Sequence, residues 1–204
     1  DLEWSDTGEQ GDTYVTRYGE VNHCDSTAFQ FEVPRGWEIQ TEEVGGPMDA
    51  VRENVVLVND RGVTVSFWYC QGALGGYSRD MLKAQISQAD TSDFVPGYPW
   101  GTDRDCSDLG EFMVARIHIT GEMMAGIDDD YVPVDSMMFA VIPTSRLGEV
   151  EFAGQAGNVD EFSFNYTTPV AFIAEAPDGI FTSQEEKQVI RILKLSLIHI
   201  SEPT

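Results

Sequence analysis

Apolar and polar residues alternate along much of this chain. Phe29, Phe31 and Val33 alternate with Gln30 and Glu32, which predicts a half-buried strand; Pro34 and Gly36 then break it before a second short strand carrying Trp37 and Ile39. After the turn cluster EVGGPMD, the runs NVVLV and VTVSFWYC flank residues 59–62 and predict a hairpin, because NDRG supplies residues that tolerate the positive φ of a tight connection. Val63, Val65, Phe67 and Tyr69 would share one face of its second strand. Thr64, Ser66, Trp68 and Cys70 would share the other.

The middle of the chain changes period. Ser78 can cap a helix running to about Ala89, with Met81, Leu82, Gln85, Ile86 and Ala89 in an apolar stripe laid on the sheet. Residues 90–110 hold Pro96, Gly97, Pro99 and Gly101 too closely spaced for a regular element, so a long loop is expected. EFMVARIHIT then alternates again, with Met113, Ala115, Ile117 and Ile119 facing one way and Phe112, Val114, Arg116 and His118 the other. Across the exposed turn GIDDDYVP, the apolar run VDSMMFAVIP suits a central strand covered on both faces, paired with the preceding one as a hairpin. EVEFAG, EFSFNY and PVAFIAEA add further strands. A capping box at Thr182 or Ser183 with Glu185 or Glu186 opens a closing helix whose Val189, Ile190 and Leu193 form a buried stripe.

Together these elements predict an α+β domain, an antiparallel β-sheet with helices packed on its faces. Residues 1–12 are read as a mobile lead-in and 13–194 as a single domain. Residues 195–204, LSLIHISEPT, resemble a translated sequencing-library adapter and are set aside as a non-native tail, His199 included. The resemblance implies a reading frame assembled from environmental DNA.

Charge changes the picture more than composition does. Twelve Lys and Arg against 35 Asp and Glu give a formal net charge of -23, which repels a phosphate backbone and an anionic membrane surface alike. Nucleic acid is therefore not an expected partner. The same charge favours solubility in secreted proteins and in salt-rich surroundings. No run approaches the roughly 18 to 20 consecutive apolar residues of a membrane span, so membrane attachment would need an N-terminal anchor ahead of Asp1. Cys24, Cys70 and Cys106 lack the short paired spacing of a zinc site; in an oxidising compartment one pair could bridge, with Cys70 and Cys106 the first choice.

Candidate chemistry is sparse. His118 beside Arg116 could act as a general base if a nucleophile faced it, yet no G-x-S-x-G elbow supplies one. His23 and Cys24 are sequence neighbours, which rarely puts an imidazole in useful geometry for a thiol. Asp128, Asp129, Asp130 and Asp135 could gather oxygen ligands for a calcium ion, although their spacing is not that of an EF-hand; otherwise they form a solvated hairpin tip. Phe94, Tyr98 and Trp100, set among Gly, Pro and Asp, could hold a peptide, a sugar ring or a cationic group, or else plug one end of the core. The glycine clusters GALGG and EVGGP lack phosphate-binding order, and no cofactor is expected.

The alternating strand running into Pro-x-x-Trp (FQFEVPRGW), the strand-rich middle and the closing acidic-capped helix (FTSQEEKQVIRILK) resemble the Mog1/PsbP-like family of domains, and within it exported bacterial lipoproteins. The resemblance implies an α/β/α sandwich displayed outside the cytoplasm on a bacterial surface, and it carries over no catalytic residue. The functional expectation is a non-enzymatic, monomeric binding or assembly domain whose partner is a protein, peptide or glycan. The competing expectation is a hydrolase whose site is assembled from dispersed Asp, Glu and His118.

Overall fold

The structure, a computed structural model, describes residues 12–15, 30–45, 51–69, 81–92, 110–125, 130–153 and 170–195. Two short strands, β1 (Asp12–Val15) and β2 (Gln30–Val33), form an antiparallel pair of their own. The others build one antiparallel sheet: β3 (Trp37–Gly45), β4 (Val51–Asn59), β5 (Thr64–Tyr69), β6 (Met81–Ser92), β7 (Phe112–Ala125), β8 (Asp130–Pro143), β9 (Gly148–Ala153) and β10 (Val170–Glu175). Their order is β3-β4-β5-β10-β8-β7-β6-β9. A 13-residue helix, α1 (Ser183–Leu195), follows β10.

The fold is therefore mainly β, which corrects the expected α/β/α sandwich with helices on both faces. Residues 78–80 lie outside the described residues, and the rest of the helix expected over residues 78–89 is, from Met81, strand β6. Its sequence satisfied both periods, because Leu82, Ala84 and Ile86 alternate with Lys83, Gln85 and Ser87 within the same stretch that places Met81, Leu82, Gln85 and Ile86 at helical spacing. Long-range pairing decides between them: β6 lies between β7 and β9, with Ile86 opposite Ile117 on one side and Gly148 on the other. The pairing sets one whole face of β6 inward, and Ala84 and Ile86 are buried.

The hairpins expected around residues 59–62 and between β7 and β8 are present. In the first, the Asn59 side-chain carbonyl accepts the N–H groups of Arg61 and Val63, while Gly62 takes φ 83°. In the second, every residue from Phe112 to Ala125 has a partner on β8, and Phe139 to Ile142 are buried on both faces.

One face of the sheet packs on α1. Val189, Ile192 and Leu193 are buried against Val55, Leu57, Val63 and Val65 from one half and Val114, Phe139 and Val141 from the other. Each such helix side chain contributes about 1.5–3 kcal/mol by leaving water. The helix approaches strands of both halves, β5 and β10 of one and β8, β7 and β6 of the other. Among the described residues the halves join where Ile173 to Glu175 of β10 meet β8. On the opposite face, Ala84, Ile86, Met113, Ala115, Ile117, Ala140 and Ile142 form a second buried cluster, with no helix over it among the described residues.

Charged pairs fix α1 at its rim. Arg191 meets Glu32 of β2 at 2.9 Å, Lys194 meets Asp90 of β6 at 2.9 Å, and Glu186 meets Arg116 of β7 at 2.8 Å. At the N-terminus, the Thr182 N–H donates to Glu185 and the Glu185 N–H donates to the Thr182 hydroxyl, completing the expected capping box. Glu185 also accepts from Asn59 and, at 2.7 Å, from the Arg61 guanidinium, which reaches Asp178 and the Ile180 carbonyl as well. Hydrogen bonding from Arg61, against the opposing effect of burial and with help from the Thr182 N–H and Asn59, holds the Glu185 carboxyl down at about 2. Arg61 is raised in turn, first by its bond to Glu185. Asp178 is lowered, mainly by the Ile180 N–H. At Asp90 burial works upward, but Lys194 and the Thr91 N–H bring the carboxyl below its usual value.

Between β10 and α1 the chain runs edge-on to β8, where the Met137 N–H donates to the Gly179 carbonyl. A Cβ on Gly179 would lie 2.6–2.9 Å from Ser136 atoms, backbone included, and its φ is +68°. Two predictions follow from these contacts. Gly179→Ala should cost about 2–4 kcal/mol in urea denaturation, combining strain with overpacking, whereas Gly36→Ala, where a Cβ meets nothing within 4 Å, should cost about 1 kcal/mol. Because the Glu185 carboxyl is depressed from 4.5 to about 2 on folding, its contribution, on the order of 3 kcal/mol, is present in full above pH 4.5 and is lost as pH falls towards 2. Glu185→Gln should remove that acid-sensitive part of the unfolding free energy and lower stability at neutral pH by about 3 kcal/mol.

Candidate functional site

The helix is much shorter than the strands it covers. Thirteen helical residues span about 20 Å, and the 14-residue strands β7 and β8 span about 46 Å. Coverage ends at Arg116, whose guanidinium lies over the Phe139 ring at 5.5 Å and meets Glu186 of the first helical turn. Beyond it the same sheet face continues with His118, Thr120 and Glu122 on β7 and with Met137 and Asp135 on β8. Register brings Gln85 and Lys83 of β6 beside His118 and Thr120, and Glu149 of β9 beside Gln85. The result is an open polar face on three long strands and an edge strand.

His118 and Asp135 meet on this face. They are diagonal across the β7–β8 ladder, since His118 stands opposite Met137 and Thr120 opposite Asp135. The His118 Nε2 lies 2.7 Å from Asp135 Oδ1. The imidazole is 46% and the carboxylate 83% exposed, so the pair sits in water and a carboxylate orients a solvent-facing ring. This geometry can direct one imidazole nitrogen outward as a donor or acceptor for a bound polar group.

The structure brings His118 to Asp135 and leaves Arg116 engaged with the helix instead of with His118. Asp130 is exposed at the far end of β8, about 16 Å along the strand from Asp135 at a rise of about 3.3 Å per residue. No group of three or more His, Cys, Asp or Glu that could hold a metal ion occurs among the described residues. Asp128 and Asp129, the aromatic residues Phe94, Tyr98 and Trp100, the neighbours His23 and Cys24, and Cys70 and Cys106 lie outside the described residues.

Lys83, Gln85, Thr120 and Glu149 did not stand out as site residues in the sequence. The signal that could have found them is the polar half of the alternation in β6, K-x-Q-x-S, which a helical reading of that stretch scatters around a cylinder.

A double-mutant cycle with His118→Ala and Asp135→Ala should give a coupling below about 1 kcal/mol in thermal or urea unfolding, the magnitude of an exposed ion pair. A larger coupling would mean that the pair is buried in solution by a part of the chain or a partner.

Comparison with protein-family models, with curated proteins and with solved structures finds no match.

Proposed function

We propose that this chain is a non-enzymatic binding or assembly domain of a bacterial cell-surface protein, working outside the cytoplasm, and that its contact surface is the open half of the β6–β8 face. The supporting observation is the length mismatch between α1 and the strands beneath it, which leaves Lys83, Gln85, His118, Thr120 and Asp135 side by side and facing water. A sheet face places side chains at fixed spacings of about 4.8 Å across strands and about 6.6 Å along them, so it presents a rigid array of donors and acceptors. Cationic and anionic groups are interleaved on it, which suits a polar peptide or a glycan better than a polyanion. The resemblance of FQFEVPRGW and FTSQEEKQVIRILK to exported domains of the Mog1/PsbP-like group supports the extracytoplasmic setting.

A second reading is a hydrolase acting through His118, favoured by the 2.7 Å contact with Asp135, because a carboxylate behind an imidazole orients it for proton transfer. It needs a reacting hydroxyl, thiol or water brought to the free ring nitrogen.

Titration of isotope-labelled protein with soluble cell-wall glycan fragments and with peptides of surface proteins separates the readings. The binding reading expects amide shifts concentrated at residues 83–87, 116–120 and 135–137, weakened about tenfold or more by Gln85→Ala together with Thr120→Ala, a loss of about 1.4 kcal/mol or more. Shifts confined to other strands would overturn it. Turnover of ester or glycoside substrates that disappears in His118→Ala would favour the hydrolase instead.

A further inference from the structure

We propose that ionic strength acts as a switch on this fold, with the native state weakened in dilute solution and strengthened as salt rises. The charges of the described residues fall into two populations that salt treats differently. The first is the set of short contacts that fasten α1 to β2, β6, β7 and the β4–β5 turn, at 2.7–2.9 Å, with Glu185 and Glu32 the more enclosed carboxylates. Close, partly buried pairs are screened weakly. The second is a set of exposed carboxylates that meet no cation among the described residues, including Glu38, Asp60, Glu111, Glu122 and Glu175. Against them stand Arg35 and Lys187 as exposed cations equally without a carboxylate.

The free carboxylates belong to a chain with a formal net charge of -23. Folding brings them from an expanded chain, with a radius of gyration near 50 Å, to a domain of about 17 Å. At about 10 mM salt the Debye length of about 30 Å spans the folded molecule, so every free carboxylate repels every other; at about 1 M it is about 3 Å, and only touching groups interact. Salt therefore removes the repulsion and spares the fastenings. The same charge count spread evenly over paired groups would show no such asymmetry.

Thermal unfolding of the whole chain followed by circular dichroism, in NaCl from about 10 mM to about 1 M, tests this. The midpoint is expected to rise by about 5–10 °C and to level off as screening saturates. Replacing Glu38, Glu111, Glu122 and Glu175 together by Gln should raise the midpoint in dilute salt and flatten the rise. Glu186→Gln also removes a negative charge, yet it should lower the midpoint at every salt concentration because it breaks the contact with Arg116. A midpoint that stays constant or falls with salt overturns the proposal. So does a pair of variants that shift the midpoint in the same direction, since net charge alone would then govern stability.

Discussion

Burial of Val189, Ile192 and Leu193 of α1 against both halves of the sheet is the interaction from which the remaining structure takes its shape. Among the described residues the halves pair where Ile173 to Glu175 of β10 meet β8, with the Met137 N–H bonded to the Gly179 carbonyl just beyond, a short seam for an eight-stranded sheet. A seam of that length offers little ladder stabilisation, and an open two-part sheet would leave Val55, Leu57, Val114 and Phe139 in water. The helix removes both weaknesses because it packs on strands on each side of the seam. Its first turn is held by Asn59 and Arg61 through Glu185 and by Arg116 through Glu186, and its later turns by Arg191 and Lys194.

That arrangement divides the sheet face into two environments. Where the helix lies, the alternating residues are Phe112, Val114, Phe139 and Val141, all buried. One turn past its start, the same alternation delivers His118, Thr120, Met137 and Asp135, which are exposed or half-exposed. Arg116 stands at the boundary, with its guanidinium on an aromatic ring and its charge on the helix. The open face is thus a consequence of helix length, and its rigidity comes from the packed half of the very strands that carry it. The separate cluster around Met113, Ile117 and Ile142 buries the other side of those strands, which fixes their register twice over.

Electrostatics is arranged on the same plan. Cations are scarce in this chain, and several of them are spent at the helix rim, where distance and partial burial make a charge pair effective. Carboxylates on the exposed strand faces are left to water. The helix gains local fastening, while the surface keeps a repulsion that depends on the surrounding solution.

Much of the strand pattern was legible in the residues. Period-two alternation located β2 and β7, apolar runs located β8 and β10, NDRG located the β4–β5 turn, and the Thr182–Glu185 box located the start of α1. These signals are local, since they depend on which side of a strand or helix a side chain occupies. They left open which face of β7 a helix would cover; packing places α1 on the Phe112 and Val114 side. The sequence could not separate strand from helix over residues 81–92, because Leu82 and Ile86 serve either period and only the ladders to β7 and β9 favour one. Nor could it place β10 between β5 and β8, or bring Asp135 to His118 and Arg61 to Glu185, since those contacts join residues far apart in the chain. By itself the sequence determined the alternation, the turns, the cap and the charge. Tertiary structure alone decided strand order, the packing of both halves on one helix and the face left open, because these follow from the free energy of long-range pairing and burial, to which no local stretch of residues has access.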